Sequence, residues 1–332
     1  MNSETVFIAT RGSALALAQA NTVLAQCRAS FPTLAFEIKI IKTTGDKLQA
    51  AALRNVGAAL PKGLFTKELE VALLNHDADL AVHSLKDLPT ELPAGLRLGA
   101  TLKRADVRDV FIYRRDDRSP PDSAMRRRNF KAHLTLKDFP ADLTVATSST
   151  RRKAQLLAQR PDFNVVDIRG NVLTRLLKLS ENEALDALVL AAAGLHRLSF
   201  TITEAGELKG EGVPNNLLAM ILEPETMLPC VGQGAIGIEI REPDTRLTTI
   251  CERLNHDETF QCVTAERAFL SAMGGGCQSP IGAHAEVIGD EIRLRVVSFR
   301  GAEVKRGEGQ RNIREALELG IQLASDLGRP VE

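Results

Sequence analysis

Val6-Phe7-Ile8-Ala9-Thr10-Arg11-Gly12-Ser13 decides how this chain folds, because Leu143-Thr144-Val145-Ala146-Thr147-Ser148-Ser149-Thr150 repeats its plan. Each begins as a short apolar run and passes through a turn of small polar residues. Each then enters a stretch of helix formers, Ala14 to Cys27 in the first copy and Arg151 to Gln159 in the second. An apolar run bounded by turn residues reads as a buried strand, and strands alternating with helices read as an α/β fold. In the first copy a second strand follows at Phe36 to Ile41, then an amphipathic helix at Gly63 to Leu74 and a third strand at Asp79 to Val82. In the second copy a strand at Val165 to Ile168, a helix from Val172 to about Leu179 and a strand at Leu185 to Leu190 occupy the same order. Two such domains, facing each other, are expected to form a cleft into which strand C-terminal ends and helix N-termini point.

Between and beyond the copies the pattern changes. Arg114 to Asp142 is rich in Arg, Lys, Asp and Pro and reads as an exposed loop or insertion. Glu204 to Pro229 reads as a mixed connection with three prolines. From about Asp257 a third unit starts, with a helix through Thr264–Leu270, strands near Ala283–Ile288 and Ile292–Phe299, and a last helix near Ile313–Leu327.

The 332 residues suit two or three domains, and 44% apolar with 25% charged residues is an ordinary globular composition. Lys plus Arg equal Asp plus Glu at 42 each, so no general attraction to nucleic acid or membrane is expected. Trp is absent and Tyr occurs once, which argues against a base-stacking surface. Cys27, Cys230, Cys251, Cys262 and Cys277 are odd in number and lack C-x-x-C spacing, so neither a disulfide framework nor a metal site is expected. With no secretory pattern at the N-terminus and no long apolar run, the expected compartment is the cytoplasm.

Four groups of residues could carry chemistry. Arg11, Arg151, Arg152, Arg169, Arg175 and Arg197 fall at expected strand ends and helix starts, with Ser13 and Ser149 beside them. Free helix N–H groups, a helix dipole and a guanidinium fork together suit a carboxylate or phosphate, although each arginine taken singly also reads as a solvated surface residue. His83-Ser84-Leu85-Lys86-Asp87-Leu88-Pro89 follows a buried strand, so Asp87 either meets a cation or caps the next turn. His83 reads as a satisfied structural histidine. Cys277 follows three glycines, Gly274 to Gly276, and is either an accessible nucleophile or an ordinary buried thiol. Thr43-Thr44-Gly45-Asp46 is a turn after a strand, and Pro61 to Leu69 lacks the spacing of a phosphate loop, which argues against ATP use.

Nine stretches in order also resemble the porphobilinogen deaminase family. They are Ala9–Gln19, Thr43–Asp46, Lys62–Leu69, Ala81–Pro89, Thr147–Arg152, Arg169–Val172 with Arg175, Ala193–Leu198, Val231–Ala235, and Gly275–Gln278 with Pro280–Gly282. The resemblance implies an α/β fold of two type II periplasmic-binding-protein-like domains around a cleft plus a smaller third α/β domain. The expected boundaries are 1–103 with 235–253, 107–230, and 257–332.

It further implies a transferase that deaminates four porphobilinogen molecules and joins them head to tail into hydroxymethylbilane. The chain grows on a dipyrromethane cofactor held through a thioether to Cys277. Asp87 takes the place of the catalytic aspartate, stabilising the azafulvene cation left when ammonia departs. Arg11, Ser13, Asp46, Ser84, Lys86, Thr147, Ser149, Arg151, Arg152, Arg169, Gly170 and Arg175 stand where the family binds the cofactor. Gln19, Lys62, Phe65, Asn171, Arg197 and Gln233 stand where it binds substrate. No metal is expected, nor any nucleic acid or membrane partner, and the expected state is a monomer.

This chain departs from the family at Ala59-Leu60-Pro61, where glycines are usual, at His196 and Cys230, and in the length of the 114–142 stretch. Two other readings of the residues remain at this stage. One is a solute-binding module for a small anion, which would need neither Asp87 nor Cys277. The other is a cysteine hydrolase, which would need His256 or His284 as a base.

Overall fold

The computed structural model describes residues 5–43, 66–115, 130–276 and 278–328. The chain divides into two compact units, one of Met1–Ala105, Cys230–Cys277 and Ala283–Glu332, the other of Asp106–Pro229 and Gln278–Gly282.

The first unit opens with β1 (Val6–Thr10), α1 (Ala14–Ser30), β2 (Phe36–Ile40), α2 (Lys67–Leu74), β3 (Leu80–Ser84) and β4 (Leu96–Thr101). β1 runs parallel to both β2 and β3. The expected helix after Ser13 is present and continues three residues past Cys27 to Ser30, since no Gly or Pro interrupts it before Pro32. Its N-terminus is capped by Ser13, whose Oγ accepts the Ala16 N–H at 3.3 Å.

The second unit contains β5 (Asp109–Arg114), β6 (Thr144–Ala146), α3 (Thr150–Gln159), β7 (Asn164–Val166), α4 (Val172–Glu181), β8 (Ala187–Ala191), α5 (Ala192–Arg197), the short pair β9 (Thr201–Ile202) and β10 (Leu208–Lys209), and β11 (Leu217–Leu222). Its five-stranded sheet has the order β11-β5-β8-β6-β7, with β6 parallel to β7 and β8 and with β5 antiparallel to β8 and β11.

The chain then returns to the first unit as β12 (Ile236–Arg241), which inserts antiparallel between β3 and β4 and completes the order β2-β1-β3-β12-β4. The two sheets therefore share one plan, three parallel strands followed by a crossing strand inserted antiparallel. This is an α/β architecture of two similar sheets, as the duplicated plan predicts.

Both sheets are covered on both faces, which is why their strands read as unbroken apolar runs. In the first unit Val6, Ile8, Val82 and Ile238 pack against α1 and α6 (Thr245–Leu254), while Ala9 and Ala81 pack against Leu69 and Leu73 of α2. In the second, Val110, Ile112 and Leu188 face one core, and Phe111, Tyr113 and Val189 face the other.

The last part of the chain is α7 (Asp257–Ala272), β13 (Ile281–Ile288), β14 (Glu291–Ser298), β15 (Lys305–Asn312) and α8 (Ala316–Asp326), with the three strands in that order in one sheet. Gly320 lets α7 and α8 meet closely, since a Cβ there would sit 2.3 Å from the Ala265 carbonyl oxygen.

Three expectations are corrected. Glu204 to Pro229 is more than a connection, because it holds β10 and the apolar strand β11, whose six residues run along β5. Arg114 is no loop residue: it ends β5, is buried, and donates to the Leu179 and Asn182 carbonyls at 3.0 and 3.1 Å. Farther along the same stretch, Leu136 and Phe139 are buried, and Phe130 meets Tyr113 and Phe139 edge-on at 6.1 and 5.0 Å; residues 116–129 lie outside the described residues. Finally, the last part of the chain has a third strand that sequence reading missed. β15 reads Lys-Arg-Gly-Glu-Gly-Gln-Arg-Asn, and its helix-facing positions are Gly307 and Gly309. A Cβ on these would meet Leu327 and Leu319 at 2.6 and 3.0 Å, so the buried face carries no apolar side chains to betray it.

Candidate active site

In the first unit one small cavity gathers the residues expected from two separate stretches. Arg11 and Ser13, from the β1–α1 turn, line it together with Gln19 from α1 and with Ser84 and Asp87 from the end of β3. The topology explains the meeting, because parallel neighbours β1 and β3 release their C-terminal turns on the same sheet edge. Asp87 closes a single turn of 3₁₀ helix, Leu85–Asp87, and is partly exposed, as are Ser84 and Lys86.

Gln19 is almost fully buried. Its Nε2 donates to Ser84 Oγ at 2.8 Å, and the Ser84 hydroxyl lies 3.2 Å from Gln19 Oε1, where it can donate in return. The amide expected to bind substrate is thus engaged in orienting a cavity hydroxyl. Behind them His83 Nε2 lies 2.9 Å from Oε2 of the fully buried Glu239, so the histidine is a satisfied structural one, as its position in the strand suggested.

Gln233, the other amide assigned to substrate, is 0% exposed; its Oε1 accepts the Cys230 S–H at 3.3 Å and its carbonyl accepts Arg104 Nε at 2.8 Å. Asp46, Lys62, Phe65 and Cys277 lie outside the described residues.

The second unit brings together another set. Ser149 caps α3, its Oγ accepting the Arg152 N–H at 3.4 Å, while Thr147 Oγ1 accepts the Ser149 N–H at 3.2 Å. The side chains of Arg151 and Arg152 turn inward onto Asp109, the first residue of β5. Arg151 Nη1 donates to its Oδ2 at 2.8 Å, and Arg152 donates through Nη2 and Nε to Oδ1 at 2.7 and 3.1 Å. Arg151 Nη1 also reaches the Leu228 carbonyl at 2.8 Å, and Arg152 Nη1 the Val189 carbonyl at 2.9 Å.

Burial opposes ionisation of Asp109, but the adjacent charges of Arg151 and then Arg152 outweigh it and hold the carboxyl down at about 2. Three charges of this kind leave one net positive charge beneath the α3 N-terminus. Both guanidiniums thus have internal partners, and Asp109 belongs with them.

Around α4, Asn171 caps the helix through Oδ1, which accepts the Thr174 N–H at 2.8 Å. Arg175 Nε donates to the Gly170 carbonyl at 2.8 Å, and Arg169 is exposed. Gly170 has φ +123, a conformation that requires glycine. Arg197 ends α5, where burial pulls its guanidinium down to about 10.

Burial also acts on three of the described thiols. It pushes Cys27, Cys251 and Cys262 up to about 12.

Residues that sequence reading missed share one property, a charge whose partners are distant in sequence. Asp109 heads the strand Asp-Val-Phe-Ile-Tyr-Arg. Glu266 and Arg267 are neighbours on α7. Glu266 is fully buried, accepts Arg104 in a two-pronged ion pair at 2.7 and 3.0 Å, and accepts the backbone N–H groups of Gly232 and Ala285 at 2.8 Å each.

Comparison with known proteins gives the family. Residues 6–249 match the family model described as porphobilinogen deaminase, dipyromethane cofactor binding domain, and residues 260–328 match the model of the porphobilinogen deaminase C-terminal domain. The chain belongs to the porphobilinogen deaminase family. Porphobilinogen deaminases so named from Desulforamulus reducens, Syntrophomonas wolfei and Thermus thermophilus are 40%, 41% and 42% identical to it. The matches cover 97%, 96% and 97% of this chain and 94%, 94% and 95% of those proteins. The first family model spans both sheets, and the second spans α7 to α8.

Proposed function

We propose that this enzyme condenses four porphobilinogen molecules head to tail into hydroxymethylbilane, a step of tetrapyrrole biosynthesis, with Asp87 as its catalytic carboxylate. The observation that carries the site assignment is the single cavity holding Asp87 with Arg11, Ser13 and Ser84. Its chemistry fits a pyrrole ligand, because a carboxylate accepts ring N–H groups while a guanidinium and hydroxyls receive acetate and propionate side chains. In each round the C–N bond of the aminomethyl group breaks, ammonia leaves, a C–C bond forms in its place and the coupled carbon loses its proton; after four rounds, hydrolysis of the bond to the primer, with water supplying the hydroxyl, would release hydroxymethylbilane. The Asp87 carboxylate accepts the N–H of the reacting pyrrole and stabilises the positive charge that develops as ammonia leaves.

Dipyrromethane, bound through Cys277, supplies the free pyrrole carbon on which the chain starts. Arg11, Ser13, Ser84 and Lys86 of the first unit are proposed to hold its carboxylates, and Asp46 is proposed to contact the cofactor elsewhere, since a carboxylate only accepts. In the second unit Thr147, Ser149, Arg151, Arg152, Arg169, Gly170 and Arg175 form the corresponding set, with Asp109 fixing the arginine pair. Lys62, Phe65 and Arg197 are proposed to meet the substrate; Gln19, Asn171 and Gln233 act through the hydroxyl, helix and loop they hold. Burial of Cys27, Cys251 and Cys262 argues against those three thiols as the attachment point, and the Gly-Gly-Cys-Gln motif supports Cys277. Residues 257–332 are read as the third domain that carries it.

The proposed state is a cytoplasmic monomer; among the described residues no helix is long and apolar enough to cross a membrane. Intact-mass measurement tests the reading. The purified protein should exceed its sequence mass by one dipyrromethane and stain with a pyrrole-reactive aldehyde, and Cys277→Ala should do neither. Unmodified mass in the wild type would sink the cofactor assignment. Asp87→Asn should keep the adduct, if it is loaded, and lose at least about 100-fold in kcat.

A further inference from the structure

The turn that carries Asp87 is held on several sides, and one holder is a charge from the far end of the chain. Arg267, on α7, donates through Nη1 to the Leu88 carbonyl at 3.2 Å and through Nη2 to the Pro89 and Thr90 carbonyls at 2.6 and 3.2 Å. These are the three residues directly after Asp87. One helical turn earlier, Val263 of α7 packs with Leu85, Leu88 and Ala235 in one apolar cluster. On the other side Leu85 N–H donates to the Ala235 carbonyl at 3.1 Å. The loop carrying that carbonyl lies so close that a Cβ on Gly232 would sit 3.2 Å from the Lys86 nitrogen. The helix is itself anchored, because neighbouring Glu266 grips Arg104 and the Gly232 N–H.

We propose that Arg267 is a positioning residue for Asp87, its guanidinium fork holding the backbone of the catalytic turn in one conformation through successive couplings. The inference rests on the assignment of Asp87 made above. A guanidinium suits this task better than an ammonium, because its planar, fixed N–H directions meet several carbonyls at once. Burial lowers Arg267 to about 10, with the charge of Glu239 opposing the shift, so it is charged at neutral pH. Apolar packing by Val263 places the turn; the guanidinium restricts the three residues that directly follow Asp87, whose carboxylate must stay aimed. A displacement of the reacting group by about 1 Å costs up to about 100-fold in rate.

The test compares Arg267→Gln, Arg267→Lys and Arg267→Ala with wild type. The Gln variant should retain its dipyrromethane by intact mass and lose roughly 10- to 100-fold in kcat, with KM for porphobilinogen changed less than about twofold. Lys should fall between Gln and wild type. Millimolar guanidinium should raise kcat of the Ala variant and leave Val263→Ala, a packing control, unchanged. Wild-type kcat in the Gln variant overturns the inference, as does loss of kcat in the Ala variant that guanidinium does not relieve. Failure of all three variants to fold also overturns it, since Arg267 would then serve stability alone. A wild type without porphobilinogen turnover, or an Asp87→Asn variant with full turnover, would instead remove the functional reading underneath.

Discussion

Asp109 shows how much one buried charge decides in this protein. Its carboxylate is 0% exposed and accepts from both Arg151 and Arg152. Removing one member of such a group leaves uncompensated charge in a medium that solvates it poorly. Asp109→Asn should therefore destabilise the protein by about 3–5 kcal/mol, read from urea unfolding. The pH dependence follows from the same contacts. The folded carboxyl titrates at about 2, below its ordinary 3.8, so the unfolded chain binds the proton more readily. The stability it contributes is complete above about pH 4 and is lost as pH falls towards about 2. Wild type should lose more stability over that interval than Asp109→Asn does; equal losses would place the acid sensitivity elsewhere.

At the scale of elements, turns and helix contacts carry the site. Ser13 and Ser149 each cap the helix that follows its strand, in matching places of the two copies. Ser149→Ala should cost about 1 kcal/mol in thermal or urea unfolding through the lost cap. Gly320 makes a stronger case. An added methyl would meet the Ala265 carbonyl oxygen at 2.3 Å and the Phe269 nitrogen at 2.8 Å, both backbone atoms that cannot rotate away. Gly320→Ala should force α7 and α8 apart and destabilise by about 1–3 kcal/mol, even though alanine is the better helix former. Because Arg267 and Glu266 sit on α7, kcat should fall with stability in that variant, and an undiminished melting temperature would contradict the close contact.

For the molecule as a whole the net charge is zero, so attraction of small anions falls to local clusters of basic residues. Sedimentation equilibrium should return the mass of a single chain, and a concentration-dependent dimer would remove the monomer proposal.

The duplicated strand–turn–helix plan, and with it the α/β class, was legible in sequence because buried parallel strands are continuous apolar runs and their turns use small polar residues. Ordered motifs were equally legible, and they singled out Asp87, Arg11, Ser13 and Ser84 before any geometry was known. β11 and β15 were not, the first because prolines surround it and the second because its buried face is glycine. The partnerships of charged side chains were also hidden. Sequence shows that Arg151 and Arg152 are basic and that Asp109 is acidic; that all three meet depends on β5 entering beside β8, 42 residues away from the helix in sequence. The same holds for Arg267 and the Asp87 turn, 178 residues apart from guanidinium to Pro89. Local chemistry and periodicity are properties of neighbours along the chain, so the sequence alone determined elements, class and family. Which charge compensates which depends on distances through the fold, and only the tertiary structure decided it.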